Sequence, residues 1–118
     1  KAKAMDLYRA AKKENGRLKW NSCLARKAEE RAKAMVEKNV FDHNDPKSGK
    51  NPAWKLIYSC TKAKHAGENL AKGHDDAAQI HDAFMKSSTH RKNIVDRRFT
   101  LMGVGCYSEI CVELFAGF

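Results

Sequence analysis

No stretch of this chain approaches the roughly 20 consecutive apolar residues that a bilayer-spanning helix needs, so nothing in it reads as transmembrane. Proline is nearly missing. Pro46 and Pro52 are the only two, and both fall in one segment rich in Asn, Asp, Ser and Gly, which leaves the remainder free to form uninterrupted elements. There is no Cys-x-x-Cys pair, no His-Glu-x-x-His helix and no Gly-x-Ser-x-Gly turn, which removes the strong signals for a zinc framework, a zinc peptidase and a serine-hydrolase elbow. No internal repeat, low-complexity tract or linker is present. The opening Lys-Ala-Lys-Ala-Met-Asp lacks the apolar core of a secretory signal, so export would mean a signal already removed.

Carboxylates are also scarce, 14 Asp and Glu against 23 Lys and Arg, for a net charge of +9. Residues 1–40 hold twelve of the cations and five of the acids, so the expected basic surface belongs to the first two helices. Such a field attracts anionic lipid or acidic cell-wall polymer, although a solvated helix face that only aids solubility carries the same signature. A specific nucleic-acid partner is not expected, because no aromatic-interleaved strand or recognition helix accompanies the charge. What is present is 118 residues, 42% hydrophobic and 31% charged, the balance of one globular domain spanning residues 1–118.

Met5, Tyr8 and Ala11 repeat at helical spacing until Asn15-Gly16, predicting a helix over 3–14. After the capping pair Asn21-Ser22, Leu24, Ala28, Ala32 and Met35 predict a second helix to about Lys38. Residues 42–66 read as loop with one short helix around 54–58, and Asp75-Asp76 opens a further helix whose stripe is Ala77, Ile80 and Phe84. Residues 99–107 and 111–118 read as paired strands, with Gly103 and Gly105 requiring a bulge or a close backbone neighbour. Two strands are marginal alone, so a third is expected near 58–65; residues 68–71 are too short to assign, and 91–96 read as irregular. Helices on either side of these strands imply an α+β layered fold.

Four cysteines in a small chain fit two disulfides better than a metal site or reduced thiols. Cys106 and Cys111 flank a turn between strand-like runs, which suits a cross-hairpin bond and leaves Cys23 with Cys60 by elimination.

Four blocks stand out at compatible spacings: Phe41-Asp42-His43; His65-Ala66-Gly67-Glu68-Asn69-Leu70-Ala71; Ser87-Ser88-Thr89-His90-Arg91-Lys92-Asn93-Ile94; and Phe99-Thr100-Leu101-Met102-Gly103-Val104-Gly105. Together they resemble the CAP superfamily of cysteine-rich secretory proteins, antigen 5 and pathogenesis-related class 1 proteins, in particular its short bacterial SCP-like members. The resemblance implies a three-layer α-β-α sandwich around a small, mostly antiparallel sheet, an extracellular location, and a cleft formed by His43, Glu68 and a later histidine. Eukaryotic members line that cleft with two His and two Glu, and some bind a divalent metal there. Here their Trp-x-x-Glu pattern reads Phe84-Met85-Lys86-Ser87, so Ser87 replaces the second acid, while His90 matches the His-Arg pair of the bacterial forms. Some relatives bind sterols or fatty acids, which adds a small apolar ligand to the expectations.

Three chemistries are open to this group. His43, His90 and Glu68 could fill three positions of a zinc-like shell, although no cofactor is required by the motif. Ser87, His90 and Glu68 could act as a hydrolytic set, a weaker expectation without an elbow or an oxyanion loop. The same residues could simply hydrogen-bond one another and join irregular segments. The leaning is toward a binding module rather than an enzyme. His74 and His81 are expected at the surface, His65 has no counterpart in the motif, and Asn69, Arg91, Asn93 and Asp96 are expected to support backbone, with Arg91 able to fork onto a carboxylate.

Overall fold

The computed structural model describes residues 2–118. Five helices and four strands appear among them: α1 (Ala2–Glu14), β1 (Lys19–Trp20), α2 (Ser22–Lys38), α3 (Ala53–Thr61), β2 (His65–Lys72), α4 (Ala77–Lys86), α5 (Ser88–Val95), β3 (Phe99–Tyr107) and β4 (Ile110–Gly117). The strands form one sheet in the order β1-β3-β4-β2. Its β3–β4 and β4–β2 pairs are antiparallel, and the two-residue β1 lies parallel to β3.

Strand alternation sends successive side chains to opposite faces, and β4 shows what that does here. Cys111 and Phe115 join a core with Leu7, Ala11, Ile80, Phe84 and Ile94 from α1, α4 and α5. Val112, Leu114 and Ala116 join another with Leu24, Ala28, Ala32, Met35 and Ile57 from α2 and α3. The chain is therefore a three-layer α-β-α sandwich whose central strand is buried along its whole length.

Capping chemistry sets the element ends that matter to the site. Asn21 accepts from the Leu24 amide to start α2, and Asn39 ends it in the left-handed region, φ 53°, with its N–H donating to the Met35 and Val36 carbonyls. That reversal delivers the loop bearing His43. Asp76 and Gln79 form a reciprocal capping box at α4, so the second of the two aspartates is the cap.

Several sequence expectations change. The third strand lies at 65–72 and includes the Gly-Glu-Asn block, while 58–61 stays in α3, because β2 gains its ladder only by pairing with β4. The segment expected to be irregular is helical from Ser88 to Val95; its polar sequence shows only a faint amphipathic pattern, and Ile94 alone is buried. The basic surface assigned to the first two helices is divided, since α1 and α2 lie on opposite sides of the sheet. The close backbone neighbour expected at the β3 glycines is present: a Cβ on Gly103 would fall 2.2 Å from the Ala25 nitrogen, and one on Gly105 would fall 2.2 Å from the Glu29 nitrogen. Both disulfides, Cys23–Cys60 and Cys106–Cys111, are present.

Candidate functional site

β2 is an edge strand, and its pleat separates two neighbouring polar residues. Glu68 belongs to the face under α2 and α3, and Asn69 to the face under α4 and α5. Glu68 is almost completely buried, and its carboxylate is fully engaged. Arg31 of α2 forks onto it, Nε to Oε2 and Nη2 to Oε1, the latter at 3.1 Å. The Oε1 atom also meets His43 Nδ1 at 2.8 Å, while the same Arg31 Nη2 donates to the His43 carbonyl at 2.8 Å and the Asp42 carbonyl at 3.2 Å. One guanidinium thus orders both the acid and the loop that carries the histidine. A bidentate charge-assisted pair is strong, and burying it is tolerable because both carboxylate oxygens and the Arg31 Nε and Nη2 groups are partnered.

The second half of the site is built at the junction of α4 and α5. Ser87 is the C-cap of the first and the N-cap of the second, and its Oγ lies 2.8 Å from His90 Nδ1. The His90 ring stacks on Phe84, centroids 4.9 Å apart. Burial, and secondarily the neighbouring His43, hold the His90 imidazole below its ordinary pKa of 6.5, so it is neutral at pH 7. In both histidines Nδ1 is the partnered nitrogen.

A chain of amides joins the halves from beneath. Asn69 Nδ2 donates to the His90 carbonyl at 3.2 Å and to Glu113 Oε1 at 3.1 Å, and its Oδ1 accepts from Asn93 Nδ2, which also donates to the Glu68 carbonyl. Glu113 sits mid-β4 with no exposure, and its Oε2 has no partner among the described residues. Burial pushes its pKa up to about 8, opposed by the Asn69 hydrogen bond, so the carboxyl is neutral at pH 7.

The predicted site residues therefore form two hydrogen-bonded pairs, Glu68–His43 and Ser87–His90. No bond joins Glu68 to His90, and among the described residues no three His, Cys, Asp or Glu side chains gather as a metal shell. Both Glu68 oxygens are in use and a cation lies against them, so this acid fits poorly as a metal ligand; the two imidazoles and the Ser87 hydroxyl are the donors that remain. Arg31 was missed by sequence reasoning, although it falls on the buried stripe of α2 beside Ala28, Ala32 and Met35, a place where a charge needs a partner. Glu113 was missed as well; its signal was one acid inside the apolar strand run 110–117.

Asn69, expected to tie a turn, lies in β2, and both it and Asn93 bond carbonyls of a distant segment, those of His90 and Glu68, rather than their own backbone. Arg91 is exposed, and the forks onto carboxylates are made by Arg31 and by Arg98 on Asp96. His74 is exposed, but the His81 side chain is only 13% so, because α1 packs on α4 and brings Glu14 Oε2 to 3.0 Å from its Nε2. His65 opens β2 opposite Gly117. A cavity of about 400 Å³ lined by Met5, Trp20, Ala25, Arg26 and Val104 shares no residue with the cleft.

The cysteine-rich secretory protein (CAP) family model matches residues 3–110. The chain is 35% identical over 105 residues to the Bacillus subtilis protein YkwD, whose function is uncharacterized; the match covers 87% of this chain and 40% of that protein. An extracellular SCP-domain protein of Bacillus anthracis superposes with a TM-score of 0.85 at 26% identity, covering 99% of this chain and 41% of the other. An outer surface protein of Borrelia burgdorferi shares the fold at a TM-score of 0.78 and 18% identity, over 96% of this chain and 90% of the other. This chain thus spans about two fifths of both Bacillus proteins. With the sandwich, the four motif blocks and the family match in agreement, the chain belongs to the cysteine-rich secretory protein (CAP) family.

Proposed function

We propose that this is an exported CAP module that binds a ligand at the cleft between the His43 loop and the α4–α5 junction, with the His43 and His90 imidazoles as its contact groups. The observation that carries the reading is the matched anchoring of the two rings, each held at Nδ1 by a fixed oxygen. Glu68 can only accept, so His43 donates from Nδ1 and keeps Nε2 free, as in metal-binding histidines oriented by a second hydrogen bond; His90 matches it in the tautomer whose Nδ1–H donates to the Ser87 hydroxyl. A zinc-like cation suits two imidazoles better than calcium or magnesium, and with Glu68 committed to Arg31 its affinity is weak. The extracellular and surface descriptions of structural relatives support export, and no helix among the described residues is long and apolar enough to cross a membrane.

Calorimetric titration of zinc into the wild type and a His43→Ala, His90→Ala double variant tests this. Loss of the binding heat in the double variant is expected; equal affinity would place the cation elsewhere and leave the cluster a structural network. The Ser87–His90 contact favours a second reading, a hydrolase with Ser87 as nucleophile and His90 as base. Ester turnover abolished by Ser87→Ala would establish it. The 400 Å³ cavity, a volume within the usual range for small-molecule pockets, supports a separate reading in which an apolar ligand is held there. Displacement of a fluorescent fatty acid, sensitive to Val104→Trp, tests that reading.

A further inference from the structure

Although the charge of α1 and α2 is divided by the sheet, another basic surface is assembled around α3. Residues 46–67 contain five lysines and no carboxylate. Within α3, Ala53 and Ile57 are buried, whereas Trp54 and Tyr58, one turn apart, are 51% and 52% exposed. Helical spacing places Trp54, Tyr58 and the C-cap residue Lys62 along one flank. Lys62 Nζ lies 4.9 Å from the Tyr58 ring centroid. This flank borders β2, since Trp54 shares a small pocket with Gly67 and Glu68. Of the nearby acids, Glu68 is buried and neutralised by Arg31, and Glu30, Asp42 and Asp45 line a groove with Leu56, on the other side of the helix.

Two large aromatic side chains half-exposed on one short helix are not needed for the core, and such patches mark interaction surfaces. Trp and Tyr combine an apolar ring with a polar tip, the combination that suits the headgroup level of a bilayer, and lysine stems extend along apolar surface with the charge outward. We propose that the Trp54–Tyr58 flank of α3 is a peripheral docking surface for an anionic lipid bilayer, its rings entering the headgroup layer and Lys55, Lys62 and Lys64 facing the lipid phosphates. Charge complementarity selects an anionic partner, and the rings select an interface over a soluble polyanion, which would need only the lysines. Base stacking on a nucleic acid would use open ring faces, and Lys62 already covers one face of Tyr58.

Partition into phosphatidylcholine vesicles, with and without phosphatidylglycerol, decides the matter, with tryptophan quenching by brominated acyl chains as a second reading. The wild type binds only the anionic vesicles and is quenched. At about 1 kcal/mol per surface lysine, K55Q/K62Q/K64Q weakens partition on the order of a hundredfold. W54A/Y58A weakens it and removes the quenching, and Trp54→Gln alone does so partially. K3Q/R9Q/K13Q on α1 removes equal charge from the far side of the sheet and, screened beyond a Debye length of roughly 8–10 Å, changes partition by no more than about threefold. All these positions lie outside the core, and unchanged melting confirms that each variant folds. The proposal is overturned by equal losses in the two charge variants, by partition indifferent to W54A/Y58A, or by binding to soluble dextran sulfate without vesicle partition.

Discussion

Glu113→Gln is expected to stabilise the protein at neutral pH, by an amount that depends on pH in a defined way. Glu113 faces Asn69 and Val104 across the two strands that flank β4, with Oε1 bonded to Asn69 and Oε2 unpartnered. Burial raises its pKa from 4.5 to about 8. In the unfolded chain the group ionises normally, so between those values the folded state holds a proton that the unfolded state has lost. A raised folded-state pKa gives stability that is fully present below the unfolded value and declines as pH rises toward the folded one. Each pH unit above the unfolded value costs about 1.4 kcal/mol, which amounts to about 3 kcal/mol at pH 7. Glutamine keeps the shape and the acceptor oxygen but cannot ionise. Urea unfolding of both proteins from pH 4 to pH 8 should therefore give a stability difference near zero at the acid end that grows to about 3 kcal/mol at pH 7. A difference independent of pH would refute the reasoning, since it would mean that Glu113 titrates alike in both states.

Arg31→Met strands the buried Glu68 carboxylate and is expected to cost about 3–5 kcal/mol by chemical denaturation, partly recovered by adding Glu68→Gln; amide exchange around Asp42 and His43 should quicken as their carbonyls lose the Arg31 donor. Removing Cys23–Cys60, which spans 37 residues, should cost about 4 kcal/mol against about 2 for Cys106–Cys111, which spans 5, as measured on the two paired Cys→Ala variants. Gly103→Ala pushes a methyl into the α2 backbone and should cost about 3 kcal/mol or prevent folding, whereas Gly16→Ala, with nothing within 4 Å, should leave the melting temperature almost unchanged.

Much of the layered fold was legible because its long elements carry their own periodicity. The stripe of α2 and the apolar runs of β3 and β4 need no partner to be recognised, and the cysteines around Tyr107-Ser108-Glu109-Ile110 announced their own hairpin. β2 was not legible: His65-Ala66-Gly67-Glu68-Asn69 has little strand character, and its ladder is supplied by β4. α5 was hidden for a similar reason, its one buried apolar residue, Ile94, being too little to mark a stripe.

The sequence by itself determined the family, the disulfide pairing and which polar residues deserved notice, because motif spacing and local periodicity survive without a partner. Tertiary structure alone decided how those residues are used. The pleat of β2 turned the adjacent Glu68 and Asn69 to opposite faces, and the crossing of α2 committed Glu68 to Arg31. Enclosure of β4 between two helical layers raised the pKa of Glu113. The same layering split the charge of α1 from that of α2, because electrostatics depends on distance and burial, and neither is written along the chain.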